Sequence, residues 1–390
     1  MDIKKIQNYL IEQELDGWLL ADFHGRNNVA VELLGLSGII TRRSFYFIPS
    51  EGAPIGIVHT IERDKFQGVP GEIKTYSSYK LLEKELAEVL SGCKQVAMEY
   101  SPKGRLPYIG LVDAGTIELV HDLGMEIISS ADLVSNFQAR LSAEQIATHR
   151  LAAGNLIEIK EDAFSYIAQS LSEKKSITEY DVRCFILDRF EKHDMTSGNP
   201  PICAVDANAG NPHYEPMPDA AAPIKMGQII LIDLWAKAKR ANSIYGDITW
   251  MAYAGKKDDI PQRYNDIFAT LVRARDTAVS FLQENIDKES VYGSQVDDVC
   301  RGVVMEAGYG EYFTHRTGHS ITSAEHGPGP NIDNLETEDR RILQEGHLFS
   351  IEPGIYLSDC GFRTEIDVLI TSGGAEVTTL PLQTAILPLF

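Results

Sequence analysis

Apolar residues over 1–17 fall at Ile3, Ile6, Tyr9 and Leu10, the spacing of a helix that buries one face. Short runs rich in β-branched and aromatic residues follow at 17–21, 44–49, 55–59, 95–99 and 116–120. Each reads as a strand, and 79–90 has helical periodicity between them. This alternation predicts a small α/β domain over the first third of the chain. The pattern then changes. Ser142-Ala143-Glu144-Gln145 is a capping box that opens a long helix to about residue 171, carrying Ile146, Leu156, Ile159 and Ile167. Thr178 opens a second helix, Pro261 sits at the start of a third, and 294–307 forms a fourth that Gly308 stops. Strand-like runs at 228–236, 245–253, 348–357 and 365–371 lie among these helices. The expected division is an N-terminal domain over 1–140 and a C-terminal domain over 141–390.

Composition narrows the partners. A hydrophobic share of 44% over 390 residues can fill two cores, and a formal net charge of −20 repels nucleic acid and anionic membrane surfaces. No apolar stretch is long enough to span a bilayer. Five scattered cysteines without a Cys-x-x-Cys pair suggest neither a disulfide framework nor a zinc knot. A reducing, cytoplasmic setting is the expectation.

The chemistry lies in acidic residues that interrupt apolar strands. In Ile229-Ile230-Leu231-Ile232-Asp233-Leu234-Trp235, alternation sends Ile230, Ile232 and Leu234 to one face and Leu231, Asp233 and Trp235 to the other. A carboxylate in such a run is costly to bury unless it is paired or bound to metal. Asp247, on the next strand, is expected opposite Asp233 in an antiparallel hairpin, where a divalent cation would turn repulsion into attraction. Taken singly, each has a plainer reading: Asp233 as a turn residue near Lys237 and Lys239, Asp247 as a solvated hairpin residue. Glu352 interrupts another apolar strand just before Pro353-Gly354, and Glu365 shares a face with Arg363 and Asp367, so Glu365 could simply pair with Arg363. The segment His315-Arg316-Thr317-Gly318-His319-Ser320-Ile321-Thr322-Ser323-Ala324-Glu325-His326 holds three of the ten histidines. Imidazole and carboxylate together suit Mn, Fe, Co or Zn.

The order aspartate, aspartate, histidine, glutamate, glutamate resembles the pita-bread metallopeptidases: aminopeptidase P, prolidase, methionine aminopeptidase and creatinase. Asn211-Pro212-His213-Tyr214, His315-Arg316-Thr317-Gly318-His319, Ile351-Glu352-Pro353-Gly354 and Arg363-Thr364-Glu365 are similar to the motifs of the Xaa-Pro branch. The resemblance implies an α+β protein, with a C-terminal pita-bread domain and a smaller N-terminal α/β domain. It implies two divalent ions, Mn(II) first among Co(II), Zn(II) and Fe(II). Asp233 and Asp247 would hold one ion, and Asp247, His319, Glu352 and Glu365 the other, with Asp247 and Glu365 bridging. The ions would lower the pKa of a bridging water and hold the scissile carbonyl, while Glu352 handles the proton. His213 and His326 match non-ligand histidines that steady the substrate carbonyl and the tetrahedral intermediate. His315 and Arg363 match outer positions that orient substrate or ligands. The implied function is hydrolysis of the Xaa-Pro bond in short proline-containing peptides by a cytoplasmic homodimer. Two other readings stand beside it: a same-fold metalloenzyme acting on a non-peptide amidine or amide, or as a lyase, and an inactive binding module.

Several positions depart from the family pattern. Extra residues at 237–243 predict a longer hairpin loop. Trp235 stands where glycine is usual and should wall or narrow the pocket. Ser320 and Thr322 replace common glycines, and Gly327 follows His326 where glutamate is common. These changes touch the substrate side of the site, so metal binding is the firmer expectation and proline specificity the weaker.

Overall fold

The computed structural model describes Met1–Phe390 and contains two compact units, Met1–Gln138 and Ala139–Phe390. The first is an N-terminal α/β domain. Its elements are α1 (Ile3–Glu12), β1 (Gly17–Asp22), α2 (Asn28–Leu34), β2 (Ser44–Pro49), β3 (Ile55–His59), β4 (Glu72–Tyr76), α3 (Tyr79–Val89), β5 (Gln95–Met98), α4 (Ala114–Asp122), β6 (Glu126–Ser129) and α5 (Ala131–Phe137). The six strands form one mixed sheet in the order β4-β3-β2-β1-β5-β6. Strand periodicity divides β1 between two cores: Leu19 and Ala21 pack with Leu82, Leu86 and Val120, whereas Trp18 and Leu20 pack with Ile6, Leu10 and Val29.

One expected strand is a helix. Residues 116–120 lie inside α4, because the Asp113 side chain accepts from Thr116 N (3.0 Å) and opens a helical turn. Its β-branched residues suggested a strand, but Val120 and Ile117, three apart, serve one helical face against the sheet.

The second unit contains α6 (Ala143–Ser172), α7 (Glu179–Lys192), β7 (Met195–Thr196), β8 (Ile202–Val205), β9 (Ile229–Ala238), β10 (Gly246–Tyr253), α8 (Gln262–Asn285), α9 (Gly293–Glu306), β11 (Leu348–Ile351), β12 (Gly354–Tyr356), β13 (Gly361–Arg363), β14 (Ile366–Thr371), β15 (Gly374–Val377) and β16 (Leu387–Pro388). The capping boxes at Ser142 and Thr178 are both formed. Ile230, Ile232 and Leu234 of β9 pack with α6 and α7, which leaves the Asp233 face of the hairpin turned toward the other sheets. No helix is long and apolar enough to cross a membrane.

The hairpin differs from the expected form in two ways. Lys237 and Ala238 extend β9 and pair with Thr196 and Met195 of β7, so part of the extra length is strand rather than loop. In the ladder Asp233 faces Thr249 and Asp247 faces Trp235. The two aspartates are therefore diagonal neighbours, which avoids the repulsion of like charges directly opposed and leaves room between them. The expected run 348–357 is likewise two strands, because Pro353 cannot donate to a ladder. β11 pairs with β14 and β12 with β13, and Glu352 sits at the break between the two pairings.

Candidate metal centre

The site forms where the hairpin β9–β10 meets β11, β13 and β14. Asp247 N donates to Asp367 Oδ2 (2.9 Å) and Glu365 N to Thr249 O (3.3 Å), bonds that join β10 to the segment around β14. Gly318 lets the histidine segment reach β11, since a Cβ there would lie 1.9 Å from Ser350 O. Ser350 then fixes the neighbour: His319 N donates to Ser350 Oγ (3.0 Å), and Ser350 N donates to His319 O (2.9 Å).

Three predicted ligands converge. Asp247, His319 and Glu365 are buried, and one donor atom from each lies within 4.8 Å of the others. His319 Nε2 is 3.7 Å from Asp247 Oδ2 and 3.5 Å from Glu352 Oε1, so Glu352 adjoins the cluster through the imidazole. Asp233 is attached differently. Its carboxylate accepts from Thr249 Oγ1 (3.0 Å) and from Arg363 Nη2, while Thr249 Oγ1 also lies 2.7 Å from Glu365 Oε2. Arg363 thus pairs with Asp233, not with Glu365.

The electrostatics call for a cation. Burial, followed by repulsion from neighbouring carboxylates, holds Asp247 and Glu365 well above the ordinary carboxylate range. Burial also pushes Glu352 up to about 7, against the pull of Arg363 and Arg316. Asp247 Oδ1 is buried without a hydrogen-bond partner. Burial, and then His326 and Arg316, keep His319 far below its usual pKa and therefore neutral, the form that coordinates a metal. An orphaned carboxylate oxygen, crowded carboxylates and a neutral imidazole fit a divalent ion with oxygen and nitrogen donors.

The outer residues form a chain. His315 Nδ1 meets the Arg316 carbonyl (2.6 Å) and must donate to it, so Nε2 accepts from Tyr356 Oη (2.7 Å). Tyr356 in turn accepts from Arg363 Nη1 (2.9 Å). Burial lowers His315 to about 3, which keeps this tautomer through the neutral range. The His326 ring lies 4.2 Å from that of His319 and is lowered to about 4, mainly by burial and then by Arg316 and His213. His213 is exposed on a loop that buried Glu179 holds in place. Glu179 accepts from Val205 N (2.8 Å), Tyr214 Oη (2.5 Å) and Ala222 N (2.7 Å). A cavity of about 510 Å³ in the first unit, lined by residues such as Arg26, Arg43 and Phe45, includes none of these groups.

The model for metallopeptidase family M24 matches residues 154–372, more than half of the chain. The chain belongs to that family. An uncharacterized peptidase of Staphylococcus saprophyticus is 25% identical to this M24 peptidase over 272 residues, 69% of either chain. The Xaa-Pro dipeptidase of Pyrococcus horikoshii is 31% identical over 157 residues, 40% of either chain. The solved structure of the dipeptidase PepE from Mycobacterium ulcerans matches with a TM-score of 0.74 at 20% identity, over 99% of this chain and 97% of its own. At that identity the structural likeness speaks for the fold alone. That fold is α+β, an α/β N-terminal domain followed in the chain by a pita-bread C-terminal domain.

Five residues around the M24 centre escaped the sequence reading of the site: Thr249, Tyr356, Asp367, Glu325 and Glu179. Two carried a visible signal. Asp367 shares the strand face of Glu365, and Glu325 is an acid beside His326 in the histidine segment. Burial, together with the charge of Asp233, pushes Glu325 up to about 7, and hydrogen bonding from Asn199 acts the other way. The family departures are also linked in space. A Cβ on Gly327 would lie 2.7 Å from Thr322 Cγ2 and 3.0 Å from Ser320 Oγ, so the side chains gained at 320 and 322 occupy the space given up at 327.

Proposed function

We propose that this M24 peptidase cleaves the Xaa-Pro bond of short peptides at a two-ion centre held by Asp233, Asp247, His319, Glu352 and Glu365. The convergence of buried Asp247, His319 and Glu365 carries the reading. When bound, two divalent ions would lower the pKa of water and polarise the scissile carbonyl. The chain supplies the rest. Glu352, at the break between β11 and β12 and 3.5 Å from His319 Nε2, takes up a proton and delivers it to the leaving nitrogen. His326 and His213 donate hydrogen bonds to the carbonyl oxygen as charge develops on it. Arg363, held by Tyr356 and Thr249, fixes Asp233 in place. Oxygen-rich donors favour Mn(II), and the family resemblance supports a homodimer acting in the cytoplasm.

A panel of Xaa-Pro dipeptides and longer peptides with added Mn(II) tests this directly. No turnover by the metal-loaded protein would favour the second reading, a non-peptide amide or amidine hydrolase. That alternative is motivated by Trp235, which stands across the ladder from Asp247.

Two variants check the assigned roles. Glu352→Gln should reduce turnover by about 10³-fold and weaken metal binding. His213→Ala should slow turnover on the order of a hundredfold while elemental analysis finds the metal content of the wild type. Metal loss in His213→Ala would contradict its role as a donor to substrate.

A further inference from the structure

The first unit holds a cavity of about 510 Å³, and the order of its sheet explains where that cavity lies. β1 is the first strand yet sits in the middle of the sheet: the chain builds outward through β2, β3 and β4, then crosses to β5 and β6 on the opposite flank of β1. β1 and β5 run parallel, so the segments that leave their carboxyl ends part in opposite directions and open a crevice between them. Those segments are the walls. Ala21 and Asp22 end β1, and Gly110, Leu111, Val112 and Thr116 belong to the run from β5 into α4. Open α/β sheets take their ligands at such a reversal. Fully buried Glu99 ties the two walls together: its carbonyl accepts from Leu111 N (3.0 Å) and Val112 N (3.1 Å), and its carboxylate from Asn27 Nδ2 (2.6 Å).

Charge decides what the crevice takes. Two carboxylates line it, and both are already engaged: Asp22 accepts from Gly25 N (2.9 Å) and Asn27 N (2.9 Å), and Asp113 from Thr116 N (3.0 Å) and Thr116 Oγ1 (2.7 Å). Two guanidinium groups also line it, and neither forms an ion pair or a hydrogen bond with the protein. Arg26 lies 5.7 Å from the centroid of the Phe23 ring, and half-buried Arg43 stands two residues before buried Phe45. With 56 acids to 36 lysines and arginines in the chain, an arginine without an acid is the less expected case, and one cavity holds two. Arginine forks bind the paired oxygens of carboxylate or phosphate. Phe45, Leu111 and Val112 add apolar wall, in a volume that suits a small molecule. We propose that this cavity binds a small organic anion, its carboxylate or phosphate group held by Arg26 and Arg43 and its apolar body lying against Phe45 and Val112. The site lies wholly within the first unit and does not depend on the peptidase reading.

The test is titration calorimetry on full-length, metal-loaded protein with two matched pairs of probes: adenosine monophosphate against adenosine, and phenylacetate against phenylethanol. At least one anion should bind about tenfold more tightly than its neutral partner, the scale of one charge-assisted hydrogen bond. The pair that discriminates tells phosphate from carboxylate. Arg26→Gln and Arg43→Gln should each weaken the anion by about tenfold and leave the neutral probe unchanged, and Arg43→Lys should recover part of the loss. Neither arginine bonds to the protein, so the thermal midpoint without ligand should stay that of the wild type in these variants. Val112→Trp, which fills the cavity and keeps both arginines, should weaken the anion and its neutral partner alike. Asp247→Asn should bind the anion as the wild type does. Failure of both anions to bind at millimolar concentration, equal binding of an anion and its neutral partner in both pairs, or full anion binding by the Arg26→Gln, Arg43→Gln double variant would overturn the proposal. Loss of binding in Asp247→Asn would also overturn it, because the probe would then be read at the metal centre.

Discussion

Asp247→Asn protein is expected to retain at most one divalent ion and to lose hydrolysis by about 10³-fold or more. Asp247 is the residue on which the cluster depends most. It contributes to the group with His319 and Glu365, and its Oδ1 has no protein partner. Its backbone is fixed independently of its side chain, because Asp247 N donates to Asp367 and the β9–β10 ladder continues on both sides. Asparagine should therefore fold into the same place, carrying one anionic charge less and one amide nitrogen that cannot coordinate. The loss of several kcal/mol of charge stabilisation in the transition state corresponds to the stated rate. Elemental analysis and peptide hydrolysis measured on the same sample check it. Full metal content with full activity would remove Asp247 from the centre.

Metal removal should reshape the pH dependence of stability. Asp247, Glu365 and Asp367 are held well above the carboxylate range, and Glu352 rises from 4.5 to about 7. Each such group binds more protons folded than unfolded over that interval, so its contribution to stability falls as pH rises. For Glu352 alone the loss is on the order of 3 kcal/mol between about pH 4.5 and 7. His149, lowered to about 4, His315, lowered to about 3, and also His319 and His326 act in the opposite sense below pH 6.5, because protons bind better to their unfolded forms. The two sets oppose one another on the acid side, and only the carboxylates titrate above it. Chelator-treated protein should be most stable near pH 6 and unfold at lower temperature toward pH 8. Mn(II) should abolish that alkaline loss, since it pairs with the ionised carboxylates and binds only the folded chain. Thermal unfolding from pH 5 to 8, with and without the ion, measures both arms. A metal-free midpoint that climbs between pH 6.5 and 8 would contradict the crowding of the carboxylates.

Most of the architecture could be read locally. Ser142 and Thr178 announce their helices through side chains that cap their own first turns, and the alternation in β9 places Asp233 opposite the apolar face. Such signals act over a few residues. Features set by distant partners stayed hidden. Pairing of Lys237 with Thr196 lengthened β9, and the register that opposes Asp233 to Thr249 depends on the whole hairpin. Thr116 to Val120 has the composition of a strand, and only the Asp113 cap and the helical packing of Ile117 and Val120 decide otherwise. Tyr356 and Glu325 gain their meaning from Arg363, His315, Asn199 and Trp235, which approach from other elements.

The close fit of Thr322 and Ser320 against Gly327 bears on how this loop can change by mutation. A side chain introduced at 327 meets Thr322 at once, whereas trimming Thr322 to glycine first merely leaves a small void. The two orders of substitution are thus unequal. A lineage could move between this loop and one with an acid after His326 by reducing 322 before enlarging 327, and the reverse order would pass through a poorly packed intermediate. Positions 322 and 327 should accordingly vary together among relatives that share the Glu325 arrangement.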